Sequence, residues 1–409
     1  MRNRGRNPKL KLQFFRNLQP EIIIDIVSRL PIRSIGACKC VCKSWRNLLH
    51  TREFTDFHLS KSVPALFIGY DSDFKNYKIF EFDDELGLES HHLHYNQIIK
   101  FDSTGFERSE LKGSSNGLFL FLKRKNNTEL HFDSLFVCNP ITREYIALPQ
   151  DGIFYCYFSA SVAYGFGVSK MSAQYKVVKI FHSYVCEHKY HQTDEILGSS
   201  RYFCMVYTLG TRTWRSVAVD ARVLYDTQSN GVSLNGNLHW LVEDALVDSD
   251  CISCFDLETE TFSIFAPPPL TVSPKVLVSL VVLKDCLCIC DSTPADEIVI
   301  WSMKDYGDEK SWIQEFVLTK IPDFFVDHDE YWTIYPIKVF NDGDILMAWH
   351  DLRTYYYSNK TKVITEFDLF EVERDDLEFW EWEDGMSAML YTPSFLSLTR
   401  FPEESLSTF

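Results

Sequence analysis

The sequence predicts a mainly β protein with a small α-helical module at its N-terminus. Three observations point there. The apolar period is helical from Leu18 to Leu49 and alternates after His58. Similar hairpin strings then recur about every fifty residues as far as Val363. Charge divides at nearly the same place. Residues 1–52 hold twelve Lys or Arg against two acidic residues, a net of +10, and the remainder holds 29 against 55, a net of −26.

A chain of 409 residues with 45% hydrophobic and 24% charged residues has the makings of two globular domains and a sizeable core. The longest apolar stretch, Val276 to Leu283, is eight residues and contains a serine. A membrane-spanning helix needs about 20, so no span and no membrane partner are expected. The acidic body argues against nucleic acid as a ligand, because phosphate contacts need a basic surface. Met1 to Arg16 lacks the apolar core of a secretory signal. The twelve cysteines are therefore expected in a reducing compartment, mostly as small buried hydrophobes.

In the basic head, Pro20 suits the first turn of a helix, where its missing N–H costs nothing, and Asn17 is an available N-cap. Ile22, Ile26 and Leu30 form one stripe, widened by Ile23 and Val27. Leu30-Pro31 stops that helix, since a residue before proline is pushed from the α region. A second short helix turns Ile35 and Cys38 inward, and a third carries Val41, Trp45, Leu48 and Leu49. Three helices in about 35 residues bury too little surface to stand alone. The module is either a cap packed on the body or an apolar docking unit completed by a partner.

Leu18-Gln-Pro-Glu-Ile-Ile-Ile-Asp-Ile-Val-Ser-Arg-Leu-Pro31, followed by Cys40-Val-Cys-Lys-Ser-Trp45-Arg-Asn-Leu-Leu49 and Glu53-Phe54, resembles the F-box, and the Val-Cys-Lys-Ser-Trp run resembles plant members in particular. The family's opening Leu-Pro is here Leu18-Gln19-Pro20. The resemblance implies a partner, the small acidic Skp-type adaptor, and through it a cullin and a RING protein. Carried over by position, Leu18, Pro20, Ile22, Ile23, Ile26, Leu30 and Pro31 would bind the adaptor. Val41, Trp45 and Leu48 would hold the helices together. A basic head also favours encounter with an acidic adaptor by long-range steering.

In the body, each repeat opens with a turn and an apolar strand: Ser115-Asn-Gly-Leu-Phe-Leu-Phe121, Leu234-Asn-Gly-Asn-Leu-His-Trp240, Leu283-Lys-Asp-Cys-Leu-Cys-Ile289 and Asn341-Asp-Gly-Asp-Ile-Leu-Met347. A second hairpin with a polar tip follows, ending at the landmarks Tyr145, Trp214, Phe262, Trp312 and Val363. Their spacings are 69, 48, 50 and 51 residues. About four strands per fifty residues predicts the blades of a β-propeller, six or seven in number. A further copy is expected at Phe67 to Glu81, and an insertion at His182 to Ser200. Met386 to Leu398 is expected to close the ring against the first blade, which removes exposed sheet edges. Asn116-Gly-Leu, Cys138-Asn-Pro-Ile-Thr, Tyr164-Gly-Phe-Gly and Leu234-Asn-Gly-Asn-Leu-His-Trp resemble the plant F-box-associated domain, of the kelch and galactose-oxidase-like propellers. The expected organisation is a basic flexible tail at 1–13, a three-helix F-box at 14–58, the propeller at 62–401 and a tail at 402–409.

No motif for chemistry stands out, and neither cofactor nor metal is expected. Gly165-Phe-Gly167 is not followed by a βαβ unit and reads as a strand–turn glycine pair rather than a nucleotide loop. Cys251-Ile-Ser-Cys254 lacks a second ligand pair for zinc. His91, His92 and His94 read as a polar loop, and His239 as a packed, hydrogen-bonded histidine. The acidic run Glu366 to Asp384 reads as a solvated loop or, alternatively, a docking surface. The expected function is substrate recognition in a Skp–cullin–F-box ubiquitin ligase, without catalysis by this chain, in the cytoplasm or nucleus or both. The alternative is an F-box interaction protein that does not direct degradation.

Overall fold

The computed structural model describes residues 18–70, 77–82, 95–101, 109–123, 134–151, 162–184, 200–219, 223–225, 230–244, 249–270, 278–292, 297–319, 333–349, 354–367 and 386–408. The expected basic tail, the His91–His94 cluster, the core of the insertion after His182 and nearly all of the acidic run lie outside the described residues.

Among the described residues the head has four short helices, where the sequence suggested three. Helix α1 (Pro20–Val27) starts on its proline as expected, but Gln19 occupies the N-cap and makes no side-chain cap bond. Helix α2 (Ile32–Cys38) follows Pro31 directly. Helix α3 (Lys43–Leu48) is capped by the Cys42 thiol, which accepts from the Trp45 amide. Helix α4 (Arg52–Leu59) is the unanticipated one. The Thr51 hydroxyl caps it by accepting from the Phe54 amide at 3.3 Å. Its inward face is Phe54, Thr55 and His58, two polar residues out of three, so no apolar stripe announces it.

Six sheets make the body, one per blade among the described residues. The first holds β1 (Ala65–Tyr70), β2 (Tyr77–Phe82) and β3 (Tyr95–Phe101), and the second β4 (Ser109–Ser115), β5 (Leu118–Lys123), β6 (Ser134–Asn139) and β7 (Glu144–Ala147). The third holds β8 (Val162–Val168), β9 (Tyr175–Tyr184), β10 (Ser200–Thr208) and β11 (Trp214–Val217). In the fourth, β12 (Val223–Tyr225) and β13 (Val232–Leu234) both pair with β14 (Asn237–Asp244), followed by β15 (Ser249–Asp256) and β16 (Phe262–Phe265). The fifth holds β17 (Val278–Leu283), β18 (Cys286–Asp291), β19 (Glu297–Met303) and β20 (Trp312–Thr319). The sixth holds β21 (Ile334–Val339), β22 (Ile345–Trp349), β23 (Thr354–Ser358) and β24 (Val363–Phe367).

The ring closes as the sequence suggested. Strand β25 (Met386–Tyr391) runs antiparallel to β1, from Ala65 opposite Tyr391 to Tyr70 opposite Met386. It is the innermost strand of the first blade, because β25, β4, β8, β13, β17 and β21 neighbour one another around the centre. Beyond it lies a difference. Where a tail was expected after residue 401, β26 (Leu406–Thr408) pairs with β7 and adds a fifth strand to the second blade.

The turn chemistry explains why the repeats were visible. Asn116-Gly117, Asn235-Gly236 and Lys284-Asp285 each have positive φ at both positions, the backbone of a tight hairpin turn. The outer hairpins place one residue with φ of 58–59° at the same point: Arg143, Arg212, Glu260 and Lys362. Two residues later come Tyr145, Trp214 and Phe262. By that count the sixth blade's landmark is Ile364, buried at 3%, and Val363 is 40% exposed; the sequence reading was one residue early.

Alternate residues of a strand face opposite neighbours. Cys288 and Cys290 pack with Ile345 and Met347 of the sixth blade, while Leu287 and Ile289 pack with Ile252 of the fourth. Equivalent apolar layers fill each of the other blade–blade gaps. The layer between the first and second blades is continuous with the head. Ile23, Ile24, Val27, Ile32, Ile35, Leu49 and Phe54 join Phe67, Phe119, Phe121 and Tyr391 in one cluster.

Candidate functional site

Helix α1 is apolar on more sides than the head needs. Ile23, Ile24 and Val27 turn into the cluster shared with the propeller. Ile22 and Ile26, one helical turn apart and so on one face, are each 44% exposed. With nearly half of each isoleucine in water, the burial forfeited is about 1 kcal/mol each, a cost that a binding partner would recover.

The seven residues expected to bind an adaptor fall into three groups. Pro20, Ile22, Ile26 and Pro31 are exposed. Leu18 and Leu30 are half-buried against the head's core. Ile23 is buried at 7% and serves that core instead. Of the residues expected to hold the helices together, Trp45 and Leu48 pack against the cluster. Val41 does not, being 59% exposed. The reason is local: α3 begins at Lys43 behind its Cys42 cap, so Val41 lies in the turn before the helix and off its stripe. Val41 is thus another exposed apolar side chain rather than a core residue.

The head as a whole exposes basic side chains. Arg29, Arg33, Lys43, Arg46 and Arg52 are all exposed. Asp25 accepts from Lys61 and Arg29, each at 2.8 Å, and these contacts, Lys61 first, hold its carboxyl below the usual carboxylate range. The first pair ties α1 to the chain leaving α4. Exposed pairs of this kind contribute little to stability.

The head sits on the propeller face that carries the tight hairpin turns. Tyr391 at the end of β25 lies opposite Ala65, the first residue of β1, and its hydroxyl donates to the Gly117 carbonyl in the turn between β4 and β5. The connections from β5 to β6, β9 to β10, β14 to β15, β18 to β19 and β22 to β23 leave from the opposite face. The residues that make those connections lie largely outside the described ones.

Elsewhere the expectation of a packed, hydrogen-bonded His239 holds. His239 is fully buried, and its Nδ1 lies 3.2 Å from the Val232 carbonyl, which can only accept. Nδ1 therefore carries the proton, and Nε2 accepts from the Tyr306 hydroxyl at 2.7 Å. Burial pulls this imidazole down to about 4. Gly165 lies in β8, where a Cβ would come within 2.6 Å of the Trp240 ring, so close approach of blades explains it. Cys251 and Cys254 are buried in β15.

A helical head presenting two isoleucines and joined to a six-bladed ring is the geometry against which likeness to other proteins can be weighed. An F-box domain model matches residues 15–57, and an F-box associated beta propeller domain model matches residues 113–398, more than half the chain. This is an F-box protein. Its relatives in Arabidopsis thaliana include F-box protein At3g07870, 29% identical over 73% of this chain and 72% of its own length. F-box protein CPR1 is 26% identical over 73% of this chain and 72% of its own. F-box/kelch-repeat protein At3g23880 is 25% identical over 75% and 81%. The solved structure of YjhT aligns with 74% of this F-box protein and 94% of its own chain at a TM-score of 0.39 and 11% identity, too low to carry an argument. An F-box implies docking on a Skp-type adaptor.

The sequence did not reveal what seats the head. Phe54 and His58 of α4 close on Phe395, with ring centroids 6.1 and 5.3 Å away. The spacing of four between Phe54 and His58 was the only available signal. Phe395 gave none, because it lies in no periodic segment.

Proposed function

We propose that this chain is the substrate-recognition subunit of a Skp–cullin–F-box ubiquitin ligase. The head docks on the adaptor through Pro20, Ile22, Ile26 and Pro31, and the propeller holds a target protein by loops on the face away from the head. The chain performs no covalent chemistry in this reading. It raises the effective concentration of target lysines near an enzyme recruited through the cullin and RING protein. It would act in the cytoplasm, the nucleus or both.

The observation that carries the reading is the division of α1, with Ile23, Ile24 and Val27 committed to the chain's own core and Ile22 and Ile26 left exposed. The exposed basic residues of the head favour encounter with an acidic adaptor.

Adaptor pull-down with the Ile22→Ala/Ile26→Ala double variant tests it. Adaptor recovery should fall at least tenfold while the fold, read by circular dichroism, is unchanged. Equal recovery from wild type and variant would remove the docking surface and the reading with it. Target abundance with and without proteasome inhibition separates a degradative role from a scaffold that only binds.

A further inference from the structure

We propose that the head is completed by its own propeller, and that segment 392–408 is the clamp that holds it in one orientation without the adaptor. The proposal stands independently of what the head binds.

Four short helices bury too little surface to be stable unaided. The missing surface is supplied from within the chain, since the head's inward residues are continuous with the layer between the first and second blades. The last part of that surface belongs to no blade. Phe395 lies between β25 and β26, and it is this ring that Phe54 and His58 close on. Lys39 lies 4.4 Å over the same ring. Two polar contacts flank it: the Ser62 hydroxyl donates to the Pro393 carbonyl at 2.9 Å, and Arg400 meets Asp56 at 3.4 Å.

The clamp is held from the propeller side whether or not the head is in place. Asn139, fully buried, donates its side-chain amide to the carbonyls of Ser394 and Leu396 at 3.1 and 2.8 Å. Glu144 accepts from the Ser397 hydroxyl and the Leu398 amide at 2.9 and 2.7 Å. Further on, Glu404 accepts from the Tyr207 hydroxyl and the Gly210 amide of the third blade at 2.6 and 2.7 Å. With a paired strand at either end, Phe395 is a preformed seat, and docking the head requires no further ordering of this segment.

Amide hydrogen exchange of the full chain, without adaptor, tests this. In the wild type, α1 and α4 should be protected. In Phe395→Ala, protection of both helices should fall at least tenfold while β18 and β19 of the fifth blade keep theirs. Asn139→Ala, which touches the clamp and not the head, should act in the same direction. Leu287→Ala, in the layer between the fourth and fifth blades, controls for general loosening and should spare the head selectively. If Phe395→Ala unfolds the whole chain, His58→Ala removes the head's side of the contact and should expose α4 alone. The proposal is overturned if α1 and α4 exchange unprotected in the wild type. It is equally overturned if Phe395→Ala leaves them unchanged, or if Leu287→Ala lowers head and blades alike to the same extent as Phe395→Ala.

Discussion

Asn139 donates its side-chain amide to the carbonyl of Ser394 at 3.1 Å, across a sequence separation of 255 residues. It also donates to Leu396, and its own side-chain oxygen accepts from the Ile141 amide at 2.9 Å, so one buried amide organises both a hairpin and a distant crossing segment.

Asn139→Ala strands two buried carbonyls at once. An unsatisfied buried group costs roughly 1–3 kcal/mol, so the variant should lose about 2–6 kcal/mol. Asn139→Asp, which replaces the donor by an acceptor facing two carbonyls, should lose more. Urea denaturation midpoints give the order, and a milder effect from Asp than from Ala would contradict it.

Gly117 and Gly307 form a matched pair. Both have positive φ, 84° and 86°, but a Cβ on Gly117 would sit 2.1 Å from the Ser394 hydroxyl, and one on Gly307 would meet nothing within 4 Å. Gly307→Ala should therefore show only the left-handed backbone cost of about 1–2 kcal/mol. Gly117→Ala should exceed it clearly, with the head helices losing protection because the clamp must shift. Equal losses would mean that the close approach to Ser394 is unimportant.

Lys176 is almost fully buried, and burial pulls its ammonium below the usual lysine range. Glu260 meets it at 2.7 Å and also meets Arg215, which is half exposed. Removing either partner does different harm. Lys176→Met leaves Glu260 with Arg215 as a counter-charge, whereas Glu260→Ala removes the carboxylate in direct contact and leaves a buried ammonium with only the more distant Glu258 and Asp256. The second should cost about 3–5 kcal/mol and the first distinctly less. Thermal unfolding of the two variants decides it.

Acid should loosen the head's seat. His58 is buried between Phe54 and Phe395, and its Nδ1 has no hydrogen-bond partner among the described residues. Burial lowers it from 6.5 to about 4 in the folded chain. The charged groups on the surrounding elements are Asp56 and Arg400, which pair with each other, and Lys39 over the Phe395 ring. Because the folded value lies below the unfolded one, the unfolded state binds the extra proton between them. The neutral imidazole's contribution is complete above about pH 6.5 and is lost as pH falls toward 4, by about 3 kcal/mol in all. His239 acts in the same sense. Stability measured from pH 7 to pH 4 should fall less steeply in His58→Leu than in wild type; parallel curves would show that His58 is not titrating on unfolding.

Much of the fold was legible because repeats impose the same local chemistry again and again. A positive-φ residue followed two places on by a ring placed Tyr145, Trp214 and Phe262 at the outer strands. Trp214 and the fifth blade's landmark Trp312 also link blades: their indoles donate to the carbonyls of Pro149 and Ala266 in the preceding blade. Three things were not legible. Helix α4 hides because Thr55 and His58 fill its inward face. Val41 misled because a spacing of four from Trp45 suits one helix, while Cys42 caps the helix between them. The clamp hides because it is held by single long-range bonds to Asn139, Glu144 and Glu404, and no local pattern records a partner hundreds of residues away.

The pairing of β1 with β25 has a consequence for how the protein is made. Strands β1 to β3 leave the ribosome some 290 residues ahead of the strand that must lie beside them. At about 5–20 residues per second, this is a wait of roughly 15–60 s. Throughout it the first blade carries a bare inner edge and the head has no seat. A nascent chain in that state is open to wrong strand partners, so the interval in which this protein most needs a chaperone is the one before its last blade-forming residues appear.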